Sequence, residues 1–345
     1  MDKNPLFLGL LQEISPFSHP SIFIQLIKNE TTRLNQDNIS RTVSYQNFYF
    51  LHPDIEWSFL ASMVSRNAGW NMCDLQSEPF QKALQKHVRR EIFLTYEKAN
   101  WLIFQDAYPQ LLIYHLSSIL GQPLFHLLPA LRVSAFMKKE WERYWKTKDR
   151  KRLVYALIIN EQHVIEQPVI KHPYYQRGVF HRLFFLLQDR LHFSSVLFPT
   201  LTGRLYGANV SHFSNVNQRI KLGKCLYHIL FHPLLIEKFM HFAIETKHTG
   251  SRHDYEQFGR FSSAFFTPKL REVYPPEKHH IHEIKDWSNE KNIRQAWFNN
   301  PKVSETYDIT KWFDGKRKQL LWGLHLLKIS SDIKKIGPSN GPNGN

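Results

Sequence analysis

Three stretches of the sequence place ionisable or amide side chains where helical periodicity calls for apolar ones. In IEWSFLASMVSRNAGW, residues 55–70, Ile55, Phe59 and Met63 lie one turn apart, and the next position on that line is Arg66; Leu60 and Val64 lead in the same way to Asn67. A guanidinium directed into a core needs an anionic partner or a bound anion. In RLVYALIINEQHVIE, residues 152–166, Val154, Leu157 and Ile158 precede Glu161 and Ile165 follows it, while Asn160 sits between Leu157 and Val164. A third helical run turns Asp106 inward after Leu102 and Ile103. The expectation is one polar centre in which Arg66, Asn67, Asp106, Asn160 and Glu161 meet between helices. Such a centre can be a closed network that fixes how the helices pack. It can equally be a pocket where Glu161 or Asp106, its pKa raised, works as an acid or base on a phosphorylated or amide substrate.

A second concentration of chemistry is HTGSRHDY, residues 248–255. A tight turn there would point backbone N–H groups, the Ser251 hydroxyl and the Arg252 guanidinium at an anion, with His248 and Asp254 orienting one another. The plainer alternative is a turn satisfied by its own local hydrogen bonds. HHIHE, residues 279–283, clusters histidines without the H-E-x-x-H spacing, and the chain holds 19 histidines, so no metal site is assigned. No cofactor is implied, since phosphate-loop, dinucleotide, kinase and nucleophile-elbow patterns are missing.

The third concentration is basic. Between Lys138 and Arg152 stand eight basic and three acidic residues, a net of +5, interleaved with Trp141, Tyr144 and Trp145. Lys138, Lys139, Arg143, Lys146, Arg150, Lys151 and Arg152 are therefore candidates for contacting nucleic acid or another polyanion. The competing reading is a solvated helix face whose aromatics turn to the core. The whole chain of 345 residues carries a net charge of +15, which suits a polyanionic partner or simple solubility.

Composition narrows the class. Hydrophobic residues make up 42% and aromatics 14%, enough for a core rich in large rings. Two cysteines, Cys73 and Cys225, argue against a disulfide framework and fit a reducing cytoplasm. The N-terminal apolar run, Leu6–Leu11, is too short for a secretory segment and lacks a cleavage signal after it. The longest apolar regions, 179–198 and 225–244, are interrupted by Arg182, Asp189, Arg190, Glu237 and Lys238, so no transmembrane segment is expected. The oligomeric state is left open.

The elements that must position these residues are nearly all helical. Ser40 is expected to cap a helix from Arg41 to Leu51, and Pro53 to begin one that Gly69 ends. Helices follow over Pro79–Gln105 and from Pro109 to Gly121, then behind the caps Ser134 and Asp149, over 174–191, and over 214–231 and 233–246. Only GRLYGANVSHF suggests strand. The reading is mainly α: a multi-helix domain over 1–247, an irregular extension over 248–336 anchored by Trp287, Trp297, Trp312 and Trp322, and a disordered tail over 337–345. One further helix is expected at 311–328.

The stretches ISRTVSYQNFYFLHPDIEWSFLASMVSRNAGWNMCDL, NWLIFQDAYPQLLIYHLS, LIINEQHVIE and HTGSRHDYEQF resemble a bacterial family of unknown function, the YppC-like proteins of spore-forming Gram-positive bacteria. The resemblance spans roughly residues 35–260. It implies a bacterial cytoplasmic protein and transfers no catalytic residue.

Overall fold

The computed structural model describes residues 20–173, 195–209, 214–261, 265–279, 285–290, 293–302 and 307–335. The N-terminal apolar run, the helix expected over 174–191, most of HHIHE and the tail lie outside them. The protein is mainly α.

Helix α1 (Pro20–Leu34) leads into α2 (Asn38–Leu51), which starts earlier than Ser40 would allow. Asp37 is the cap: its Oδ1 accepts the Ser40 N–H at 2.7 Å. Helix α3 (Glu56–Asp74) does not stop at Gly69. A Cβ at that position would lie 2.4 Å from Asn38 Oδ1 and 2.9 Å from the His248 ring. The glycine admits two neighbours at close range, and the helix runs on because nearly every residue to Asp74 is buried.

After the short α4 (Glu78–Ala83), α5 runs unbroken from Lys86 to Leu120 with Pro109 inside it. A new start at the proline was the sequence expectation. Proline removes one backbone N–H from the ladder, but Ala107–Ser117 is buried throughout, and that burial holds the helix together. Gly121, at φ +66°, ends it with its N–H on the Ser117 carbonyl.

A 3₁₀ turn (Phe125–Leu131) leads to the hairpin of α6 (Ala135–Thr147) and α7 (Arg150–Val164). Both expected caps are in place: Ser134 Oγ accepts Met137 N–H and Asp149 Oδ1 accepts Arg152 N–H. Every residue of α7 from Leu153 to Asn160 is buried. A helix apolar on all sides belongs in the middle of a core, and α7 packs against α3, α5, α6 and α8 (Val216–Leu230).

The strand signal resolves into an antiparallel pair, β1 (Ser195–Pro199) and β2 (Leu205–Asn209), with Leu197 opposite Gly207. Helix α9 (Ile236–Glu245) follows α8. Beyond it come only short pieces: α10 (His253–Glu256), α11 (Leu270–Val273), α12 (Trp287–Glu290) and a 3₁₀ turn (Gln295–Phe298), before α13 (Thr310–Lys335). Two of the four expected tryptophan anchors seat on the body. Trp287 stacks on His163 with centroids 4.1 Å apart, and Trp297 is buried. Trp312 and Trp322 lie on α13 and are exposed, Trp322 at 71%.

Candidate functional site

The expected polar centre separates into two places. Asp106 on α5 meets Asn160 on α7: Asn160 Nδ2 donates to Asp106 Oδ2 at 2.5 Å, and Gln110 Nε2 donates to the same oxygen at 2.7 Å. Asn160 Oδ1 accepts from Ser134 Oγ and Trp287 Nε1, both at 2.9 Å. The adjacent Glu161 accepts from Trp57 Nε1 at 3.2 Å and from Gln162 at 3.0 Å. No cation pairs with either carboxyl among the described residues. Burial pushes Asp106 up to about 7 against its amide donors, with Asp286 adding to the rise; burial likewise pushes Glu161 up to about 7.

Arg66 is elsewhere. Trp57, the α3 residue that reaches Glu161, precedes it by nine positions, about 14 Å along a helix. Arg66 instead meets the carbonyl end of α9, donating to Ala243 O at 3.0 Å and Thr246 O at 2.8 Å, and to Gln46 Oε1 at 3.0 Å. The partial negative charge of a helix C-terminus takes the place of a carboxylate. Burial brings the guanidinium down to about 10, with Asp254 opposing, so it stays charged at neutral pH. Asn67 bonds the edge of β1, donating to Ser195 O at 3.0 Å and accepting Leu197 N–H at 3.1 Å.

The turn at 248–255 supplies its own anion. Asp254 accepts the Thr249 N–H, the Thr249 hydroxyl and the Trp70 indole, and faces His248 Nδ1 at 3.3 Å. His248 Nε2 lies 2.8 Å from Asn38 Oδ1, whose amide nitrogen is committed to Ser65 O. Ser251 bonds Thr267, and Arg252 forms a buried pair with Asp74. These groups bind the C-terminal segment to α3, and their donors are taken. Of HHIHE, only His279 is described; it sits 3.5 Å from Glu97. No metal-binding cluster occurs among the described residues.

The basic segment behaves differently. Trp141 and Tyr144 are buried and Trp145 packs against the core, so the interleaved aromatics do not form an exposed stacking face. Lys138 pairs with Glu142 at 2.7 Å, while Lys139, Lys146 and Arg150 are exposed. The other three candidates converge. Arg143, Lys151 and Arg152 line a cavity of about 260 Å³ with Asp149 and Tyr155 and, from the C-terminal segment, Gln295, Phe298 and Asn300. Arg152 is held by both oxygens of Glu140 at 2.7 Å and lies over Phe298. Arg143 and Lys151 have no carboxylate partner among the described residues.

A fourth cation, which sequence reasoning passed over, stands beside the cavity. Lys224 of α8 is 5% exposed and donates to Trp297 O at 2.9 Å and Asn299 O at 2.7 Å, with no carboxylate bonded to it among the described residues. Its Nζ lies 5.2 Å from the Tyr155 ring centroid, and burial lowers its pKa against the influence of Cys225. Tyr155 Oη lies 2.7 Å from His228 Nε2 and 3.2 Å from Asn300 Oδ1. The available signal was spacing: Lys151–Tyr155 and Lys224–His228 are each one helical turn apart.

A mainly α protein with a basic cavity between a helical hairpin and its C-terminal segment is thus defined. The chain belongs to DUF2515, a family described as a protein of unknown function, whose model matches residues 33–314. It is 46% identical over 295 residues to the uncharacterized protein YppC of Bacillus subtilis (strain 168), covering 85% of this chain and 92% of that one. No solved structure matches it significantly. No helix among the described residues is long and apolar enough to cross a membrane.

Proposed function

We propose that the protein binds a ligand carrying a phosphate or similar tetrahedral oxyanion in the cavity between the α6–α7 hairpin and residues 295–300. The observation that carries the reading is an excess of positive charge around one concavity, where Arg143, Lys151 and Arg152 stand against the Asp149 carboxylate. Among the described residues Arg143 and Lys151 have no carboxylate partner, and beside the cavity the buried Lys224 ammonium donates to two carbonyls. A cation removed from water without a counter-charge favours an anion beside it. The phosphate can belong to a small metabolite or to a nucleic-acid end. The exposed Lys139, Lys146 and Arg150 on the same hairpin offer a path for a longer polyanion.

The test is competition binding of inorganic tripolyphosphate and of short oligonucleotides with and without a 5′-phosphate, across a salt series. Phosphate-bearing probes should compete, weaken with rising salt, and lose roughly tenfold or more in the Arg143→Ala/Lys151→Ala variant. Probes that ignore both the phosphate and the variant would end this reading.

A second reading, hydrolase-type acid–base chemistry at Asp106 and Glu161, is favoured by two carboxyls that burial pushes up to about 7, with no cation paired to either among the described residues. Hydrolysis of any phosphoester or amide in a substrate panel should then vanish in Glu161→Gln with the fold intact.

A further inference from the structure

Tyr155 forms part of the cavity wall, and its hydroxyl sits between two groups with different demands. His228 Nε2 is 2.7 Å away and Asn300 Oδ1 is 3.2 Å away. The carbonyl oxygen of an asparagine only accepts, and a phenol has one proton to give. While the imidazole is neutral and accepts at Nε2, that proton belongs to His228. Once Nε2 is protonated, the ring donates to the phenol oxygen, and the phenol proton turns to Asn300 or to an oxygen in the cavity.

The neutral Nε2–H tautomer and the imidazolium both give the second arrangement, and the charges around the ring decide whether the imidazolium forms. Lys151 from α7 and Lys224 from α8 lie 5.9 and 5.2 Å from the Tyr155 centroid. On its own helix Tyr227 packs against the ring, with its hydroxyl donating to Glu56. Asn300, from the C-terminal segment, is neutral. No carboxylate among the described residues bonds His228. Burial, Lys151 and Lys224 together hold the imidazole below its ordinary range, so without ligand it is neutral near pH 7.

We infer that the cavity is selective for a dianion, and that seating one makes His228 take up a proton from solvent, the imidazolium then donating to Tyr155 Oη. This rests on the anion-binding reading above. A dianion placed against Arg143 and Lys151, with Lys224 on the Tyr155 ring beside the cavity, offsets more of the positive field on the imidazole than a monoanion does. Tyr155 and His228 are then specificity residues: they favour the ligand whose charge lets the ring accept its proton and frees the phenol to donate.

Isothermal titration of the full chain with sulfate, a dianion at every pH used, measures this directly; perchlorate is the monoanion control. Titrations at pH 7 in two buffers of contrasting ionisation heat give the protons taken up per anion. Uptake of a substantial fraction of a proton is expected with sulfate and much less with perchlorate. Sulfate affinity should fall as pH rises from 6 to 8, by at most about tenfold per unit for a single linked proton. His228→Asn and Tyr155→Phe should bind sulfate more weakly, through the cations alone, and lose most of the uptake. Sulfate binding with equal heats in both buffers overturns the inference and leaves the anion-binding reading standing. Failure of sulfate, phosphate and tripolyphosphate to bind at all overturns both.

Discussion

Arg66 shows how a buried cation is accommodated without a carboxylate: the carbonyls of Ala243 and Thr246 receive it at the end of α9. Arg66→Met would remove the donor to Thr246 O and to Gln46 Oε1, while Ala243 O keeps the Gln46 amide. Urea denaturation should show a loss of roughly 2–4 kcal/mol; an unchanged midpoint would mean the contacts contribute little. Asp106 and Glu161 make a different residue-scale prediction. Both titrate near 7 in the fold, against about 4 in an open chain. The folded state therefore holds their protons more tightly, and this part of the stability is complete in acid and lost as pH rises through about 7. The melting temperature should decline between pH 5 and 8, and the Asp106→Asn/Glu161→Gln variant should decline less. An identical pH profile in that variant would place the titration in other groups. The inward direction of Arg66, Asn160 and Glu161 was legible from periodicity alone. Arg66's partners were not, because main-chain carbonyls on a distant helix leave no mark in residue types.

At the scale of elements, the caps at Ser134 and Asp149 were read correctly, while α2 is capped by the Asp37 side chain ahead of the expected Ser40. Gly69 and Pro109 misled because their local preference gave way to tertiary packing. Gly69 sits in mid-helix so that Asn38 and His248 can approach. Alanine there would gain about 1 kcal/mol in helix propensity, yet its Cβ would collide with both neighbours. Gly69→Ala is expected to destabilise by about 2 kcal/mol net, visible as a lower thermal midpoint; a stabilised variant would show that α2 and residue 248 can move aside. The basic segment 138–152 is an element with two faces. Its aromatics belong to the core and its cations to the solvent side, as an amphipathic helix requires. The sequence alone could not distinguish that from an exposed stacking surface, since both have the same composition.

At the scale of the whole molecule, the candidate site depends on chain closure. Tyr155 and Asn300 stand 145 residues apart in sequence and meet only when the C-terminal segment returns to the α6–α7 hairpin. Lys224 secures that return through the carbonyls of Trp297 and Asn299. For this reason Arg143, Lys151 and Arg152 could be nominated from local charge, whereas the one-turn spacings Lys151–Tyr155 and Lys224–His228 carry no sign that these residues meet one another and Asn300. Lys224→Met should loosen residues 295–300, seen as faster amide exchange there, and weaken anion binding at the same time. Slow exchange combined with normal binding would show that neither depends on the ammonium. The most direct test of the central claim is a crystal of the full chain soaked in tungstate, with an anomalous difference map calculated around the hairpin. The account expects a peak in the cavity, in contact with Arg143 and Lys151 and close to Asn300. Tungstate ordered elsewhere on the protein, with this cavity empty, would contradict it.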